Sequence, residues 1–309
     1  MVSLLVHTAT AQYPSRPIRL LAGFPPGGGP DIVARLLAPK LSEALGQPVV
    51  VENRVGGTGT IAGEAVAKSS ADGHTLLVGH DGLFVINPHL YKEMPIDPMK
   101  DLVPVASLVS NGFFLAINPS VPARDFAEFI EYARRADPPL QYGSGGNGSQ
   151  HHLTMERLKA RAGINMIHVP YKGGAPATTA TVAGEVAAMM SGTSTAGQIR
   201  AGRLRAIAFT GAQRSRVLPD VPAIAEFYPD FAMVQWYGLF APAGTPDAAI
   251  ARLRAETNKI LALPDLKEKL SNAGGVEPWI TSPEEFAAQI RSEYAIYGKL
   301  VKQVGAKID

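Results

Sequence analysis

Apolar positions in this chain follow two periods in turn. Ile18, Leu20 and Leu21 make a short strand-like run, and Ile32, Val33, Leu36, Leu37, Leu41 and Leu45 then share one helical face that Gly46 ends. Residues 48–51 read as a β-branched strand, 60–67 as a short helix and 75–79 as another apolar strand. This alternation with short connections predicts an α/β fold, with parallel strands covered by helices. A loop rich in Asn, Pro and Tyr is expected over 87–100, followed by strands at 103–108 and 113–118. A helix at 125–136 turns Phe126, Phe129, Ile130 and Ala133 inward. The pattern repeats with strands at 164–170, 186–191, 204–210 and 233–241 and helices at 175–183 and 196–201. Helices at 247–261, 265–273 and 283–304 close the chain, the last with the start signal Ser282-Pro283-Glu284-Glu285.

Two glycine-rich loops interrupt the pattern where chemistry is expected. Gly23-Phe24-Pro25-Pro26-Gly27-Gly28-Gly29-Pro30-Asp31 joins the first strand to the first long helix. Pro30 suits the first helical position, so the N–H groups of Gly27, Gly28 and Gly29 are expected to converge above the helix N-terminus as an anion-sized socket. Asp31 is open to two roles, one favouring its own helix dipole and one in a cleft. The second loop, Tyr142-Gly143-Ser144-Gly145-Gly146-Asn147-Gly148-Ser149, leads into a helix with Leu153, Leu158 and Ala162 inward. There Ser149 is expected as N-cap, and Ser144 as a ligand contact in preference to a loop brace. His80 and Asp81 follow a strand end, the side on which open α/β sheets bind ligands, and Tyr171 follows another. Phe24, Pro26, Tyr142, Gly143, Gly145, Asn147 and Thr193 complete the expected ligand-binding set.

Composition narrows the classes. The 309 residues are 46% hydrophobic, enough for two ordinary domains, and 29 Lys plus Arg against 27 Asp plus Glu leave a net charge of +2. With no dense run of either sign, nucleic acid is not an expected partner. The absence of cysteine excludes disulfides, thiolate catalysis and Cys-ligated metals. His151 and His152 are adjacent and diverge by about 100° on a helix, which argues against a shared metal. Gly57-Thr58-Gly59 opens a helix after a strand and so admits a dinucleotide enzyme as an alternative, but Arg54, Val55 and Gly56 separate the strand from the first glycine. Val2-Ser3-Leu4-Leu5-Val6 followed by Ala9-Thr10-Ala11 has the form of an export signal without its basic start. No other segment approaches the about 20 apolar residues of a membrane span. A periplasmic protein that does not insert in the membrane is expected.

Several segments in order resemble the extracytoplasmic solute receptors of tripartite tricarboxylate transporters, the Bug family. They are Pro25-Pro26-Gly27-Gly28-Gly29 with Asp31, Val51-Glu52-Asn53-Arg54, Asp72-Gly73-His74-Thr75-Leu76-Leu77, Tyr142-Gly143-Ser144-Gly145, His168-Val169-Pro170-Tyr171-Lys172-Gly173 and Leu218-Pro219-Asp220-Val221-Pro222. His74 stands where the family usually has Tyr, and Glu226-Phe227-Tyr228-Pro229 replaces a more glycine-rich run. The resemblance implies a two-lobed Venus-flytrap fold with two crossovers: residues 1–12 a residual signal or tail, 13–115 plus 229–309 one lobe, and 116–228 the other. It implies a receptor without cofactor or catalysis. The receptor would hold a small carboxylate through backbone N–H groups and water, and serve membrane transporter subunits or, alternatively, a sensor kinase.

Overall fold

The structure, a computed structural model, describes residues 13–307; the expected export segment at 1–12 lies outside the described residues. The chain begins with β1 (Ile18–Ala22), α1 (Gly29–Leu45), β2 (Val49–Asn53), α2 (Thr60–Ala67), β3 (Thr75–His80), α3 (Asn87–Leu90), α4 (Pro98–Asp101) and β4 (Leu102–Gly112). It then enters a second unit of β5 (Phe114–Ile117), α5 (Phe126–Arg135), β6 (Leu140–Ser144), α6 (Gln150–Ala162), β7 (Met166–Pro170), α7 (Gly174–Ala183), β8 (Ala188–Ser191), α8 (Ala196–Arg200) and β9 (Arg205–Phe209). It returns through β10 (Val234–Pro242) to α9 (Asp247–Leu261), α10 (Pro264–Gly274), β11 (Glu277–Pro278) and α11 (Pro283–Val304). Two sheets result, ordered β11-β4-β10-β3-β1-β2 and β7-β6-β8-β5-β9.

Successive side chains of a strand face opposite ways, and both faces here are covered. Leu20 joins Val33, Leu37 and Leu41 of α1 in one apolar cluster, while its neighbour Leu21 joins Ala62 of α2 in another. That second cluster continues through Phe286, Ile290 and Tyr297 of α11 to Leu153 and Leu158 of α6, so the two units share a core at their back. Left-handed Gly46 closes α1, as its sequence position predicts.

The strands are less uniformly parallel than alternation predicts. β1 is parallel to β2 and β3, and β6 to β7 and β8, but β10 runs antiparallel to β3 and β4, and β5 antiparallel to β8 and β9. The exceptions are the strands that carry the chain into and out of the second unit, where no crossover helix intervenes. The expected loop at 87–100 is also partly helical. A fully buried π-turn at Gly82–Ile86 runs into α3, and Asp97 caps α4 by accepting from Met99 N–H. Asn-Pro and Asp-Pro pairs that read as loop composition here start short helices, because proline fits the first helical turn.

Thr210 ties the two crossings together. Its hydroxyl accepts from Phe113 N–H at 2.7 Å and donates to Met233 carbonyl at 2.6 Å, and its own N–H donates to Phe113 carbonyl at 2.9 Å. Thr210 is fully buried. Thr210→Val, which keeps the shape and removes the hydroxyl, is expected to cost about 1–3 kcal/mol in urea unfolding, because it orphans a buried N–H and a buried carbonyl.

Glu293 lies behind β10, where its carboxylate accepts from Trp236 Nε1–H and Gln289 Nε2–H, both at 2.6 Å. Burial, reinforced by nearby Asp81, pushes its carboxyl up to about 8, against 4.5 for a free glutamate. Between these values the native state holds a proton that the unfolded chain has released, so this group's contribution to stability falls as pH rises through that window. Glu293→Gln is therefore expected to gain on the wild type between pH 5 and pH 8; urea midpoints at the two pH values check this.

Candidate ligand-binding cleft

The loop after β1 is shaped by Asp31. Its buried carboxylate accepts from Gly27 N–H at 2.9 Å, from Arg35 Nε at 2.9 Å and from Asn53 Nδ2 at 2.7 Å, and the Asn53 amide also donates to Phe24 carbonyl. Burial works against the charge, but these donors together hold the carboxyl below its ordinary range. Two of the three expected socket amides are thereby consumed, Gly27 by Asp31 and Gly28 by Pro25 carbonyl at 2.9 Å. The Gly29 N–H, at the first helical position, has no acceptor among the described residues. A Cβ on Gly29 would stand 2.2 Å from Tyr237 Oη, so the close approach of α1 to β10 requires glycine here.

Gly29, Ile32 and Val33 open onto a cavity of about 590 Å³ between the two units. Asn111, Phe113, Gln235 and Tyr237 of the crossing strands floor it, and Thr193, Thr195 and Gln198 close one side. Opposite Gly29 stands the start of α7, with Gly174, Ala175, Thr178 and Thr179. That helix follows Gly173 at φ 113°, carries no side-chain cap, and leaves the Gly174 and Ala175 N–H groups without protein acceptors among the described residues. Among the described residues, no Lys, Arg, Asp or Glu lines this cavity. Two uncapped helix N-termini therefore supply its positive potential.

A second cavity of about 360 Å³ adjoins the first and shares His151, Gly174 and Gln235 with it. Phe24, His80, Asn87, Gly145, Asn147 and Ser149 contribute to its wall. Phe24 meets His80 edge-on at 4.9 Å. His80 is fixed by Thr58 carbonyl at 3.0 Å from Nε2 and by Gly82 N–H at 3.0 Å from Nδ1. Asn87 also donates to Thr58 carbonyl, so the Gly57-Thr58-Gly59 turn is braced from below and packs on Gly23.

The expected residues divide accordingly. Gly29 and Thr193 line the first cavity, Thr193 with its hydroxyl on Gly275 carbonyl at 2.7 Å. Phe24, His80, Gly145, Asn147 and Ser149 line the second, and Ser149 caps α6 by accepting from His152 N–H. Pro26 and Gly27 are exposed on the outside of the loop, and Asp31 faces into it. Asp81 is fully buried and bonded to Gln150 of the other unit, and burial raises its carboxyl above the ordinary range. Tyr171 sits outside both cavities, with its hydroxyl 3.5 Å from Glu185.

Tyr142, Gly143 and Ser144 are interior to β6 and line neither cavity. The Tyr142 hydroxyl donates to Glu156 at 2.5 Å and its ring stacks on His168. Ser144 faces His168 Nε2 at 2.6 Å and accepts from Gly146 N–H, and His168 in turn stacks on His152 at 3.8 Å. Residues not anticipated for the cleft are His151, Gln235, Asn111 and the start of α7. The last had a legible signal: Gly173-Gly174-Ala175-Pro176 repeats the Gly-Gly-Pro character of Gly28-Gly29-Pro30.

Two α/β units joined by two crossing strands, with a cleft between them, are the two-lobed fold of periplasmic solute-binding proteins. More particularly, the chain belongs to the tripartite tricarboxylate transporter receptor family (TctC), whose model matches residues 33–306. It is 40% identical over 94% of its length to the UPF0065 protein of the tcbD-tcbE intergenic region of Pseudomonas sp., covering 86% of that protein. It is 35% identical over 96% of its length to BugT of Bordetella pertussis, covering 91% of it. Among solved structures, a Rhodopseudomonas palustris protein with adipate superposes at a TM-score of 0.78 with 33% identity, covering 96% of this chain and all of that one. MatC of the same organism, with bound malate, gives 0.73 at 30% identity, covering 94% and 100%. A TctC solute-binding protein from Polaromonas, without ligand, gives 0.84 at 28% identity, covering 94% and 99%.

Ser144→Ala is expected to lower stability by about 1 kcal/mol, through loss of the His168 and Gly146 hydrogen bonds, and to leave ligand affinity within about threefold. Urea unfolding and calorimetric titration check the two halves; a tenfold loss of affinity at unchanged stability would return Ser144 to the ligand.

Proposed function

We propose that this chain is an exported receptor that captures a small carboxylate in the inter-lobe cleft and delivers it to the membrane subunits of a tripartite transporter. The observation that carries the reading is the larger of the two cavities, which among the described residues has no Lys, Arg, Asp or Glu in its wall and has two uncapped helix N-termini facing it. Neutral donors fixed by the fold bind an anion without the desolvation cost of burying a lone lysine or arginine, and they leave release easy. Gly29 N–H on one lobe and the Gly174 and Ala175 N–H groups on the other would take the carboxylate. Asn111, Gln235 and the threonines would take its remaining polar groups directly or through water. Asn147, Ser149, Phe24 and His80 would bound the adjoining space.

Relatives solved with adipate and malate support a dicarboxylate, and the family description supports transporter subunits as partner ahead of a sensor. The lobes would comprise 13–115 with 229–309, and 116–228, hinged where Thr210 joins the crossings. Closure of the lobes on the ligand would be a hinge motion stabilised by contacts made only in the closed state. No bond is made or broken in this function.

Thermal unfolding against malate, adipate, hexanoate, aspartate and NAD tests the reading. A ligand that binds only the native state at about 100 times its Kd adds roughly 2.7 kcal/mol, which is a readable shift. A shift with a dicarboxylate is expected, and Gly29→Val should abolish it by filling the space at Tyr237. A shift with NAD alone would overturn the receptor reading.

A further inference from the structure

His151 stands at the waist between the two cavities and belongs to the wall of both. It is the second residue of α6, and its ring passes between two glycines that leave room for it. A Cβ on Gly174 would lie 2.9 Å from its Cε1, and one on Gly145 would lie 3.0 Å from its Nδ1. Phe113 holds the ring edge-on at 5.3 Å. Nδ1 is fully buried and has no hydrogen-bond partner among the described residues, whereas Nε2 is not so enclosed, and the residue lines both cavities.

Those facts fix the chemistry of the ring. Buried N–H groups without acceptors are rarer than acceptors lacking one donor, so the proton belongs on Nε2 and Nδ1 is the bare lone pair. Burial keeps the imidazole neutral, pushing it down to about 4. The other titratable groups around the waist are Tyr237 in the first cavity and His80 in the second, with Asp81 behind Gln150; among the described residues no lysine or arginine lines either cavity. His151 thus presents one neutral N–H, at a fixed place, to whatever passes from one cavity to the other.

We propose that His151 is the specificity-determining residue of the cleft: its Nε2–H donates to the second acceptor group of a dicarboxylate whose first carboxylate lies at the N-termini of α1 and α7. This rests on the carboxylate reading above. A donor at this point rewards an acceptor-only group, and meets the ammonium of an amino acid with a donor against a donor. A monocarboxylate gains nothing from it. Selection would come from the waist and general anion affinity from the helix N-termini.

The test measures calorimetric affinities for adipate, malate, aspartate and hexanoate in the wild type, His151→Leu and His151→Gln. The expected result is a loss of about tenfold or more for the preferred dicarboxylate in His151→Leu, with hexanoate changed less than about threefold. His151→Gln, which keeps a neutral N–H donor, should recover most of the loss. Wild-type affinity should be flat from about pH 6.5 to pH 8, where both carboxyls of each free diacid are ionised, and the ¹⁵N imidazole spectrum should show the neutral Nε2–H form across that range. An unchanged ratio of dicarboxylate to hexanoate affinity in His151→Leu overturns the proposal while leaving the receptor reading intact. So does binding that tightens on acidification in step with titration of His151. A wild type silent to all four acids overturns the receptor reading and this proposal with it.

Discussion

The Asp31 carboxylate is the interaction on which the cleft depends. A buried charge survives only where donors converge on it, and here a backbone amide, a guanidinium and a side-chain amide do so from three separate stretches of chain. In meeting that demand they hold residues 25–28 outside both cavities and leave the first turn of α1 uncovered. The charge of this acidic residue is spent on the loop and is not presented to the cleft.

The same economy recurs across the cleft. α6 is capped by Ser149, whereas α1 and α7 begin at glycines without side-chain caps. Capped and uncapped helix starts therefore divide the wall into a part whose first-turn N–H groups are satisfied by a side chain and a part whose N–H groups have no acceptor among the described residues. The orientation of Ser144 toward His168, away from the cavities, fits this division, since its hydroxyl rigidifies the loop that carries Gly145 and Asn147.

Much of the fold was legible because strong periodicity and end signals coincide: the boundaries of 60–67, 247–261 and 283–304 match the helices observed. The buried π-turn after β3 was not legible, because its apolar run Gly82–Ile86 carries no period, and the short helices at 87 and 98 look like loop in composition. Antiparallel β5 and β10 depend on the chain changing sheets, which no local pattern encodes. In the cleft, Gly29 and Ser149 were readable from helix-start chemistry. The turn of Ser144 toward His168 was not legible, because that partner lies 24 residues further on. His151 and His152 are neighbours of one type, and only their placement on α6 sends one to the waist and the other into the histidine stack.

The Thr210 junction has a mechanical meaning. Two strands bonded side by side resist sliding past one another but still allow a change of twist, so the lobes are joined as by a torsion bar, not a loose tether. Asn111, Phe113 and Gln235, which floor the cavity, lie on that bar. A molecule resting on them touches the element whose twist sets the angle between the lobes. A change of twist there would reach both lobes without any relay through the interior of either.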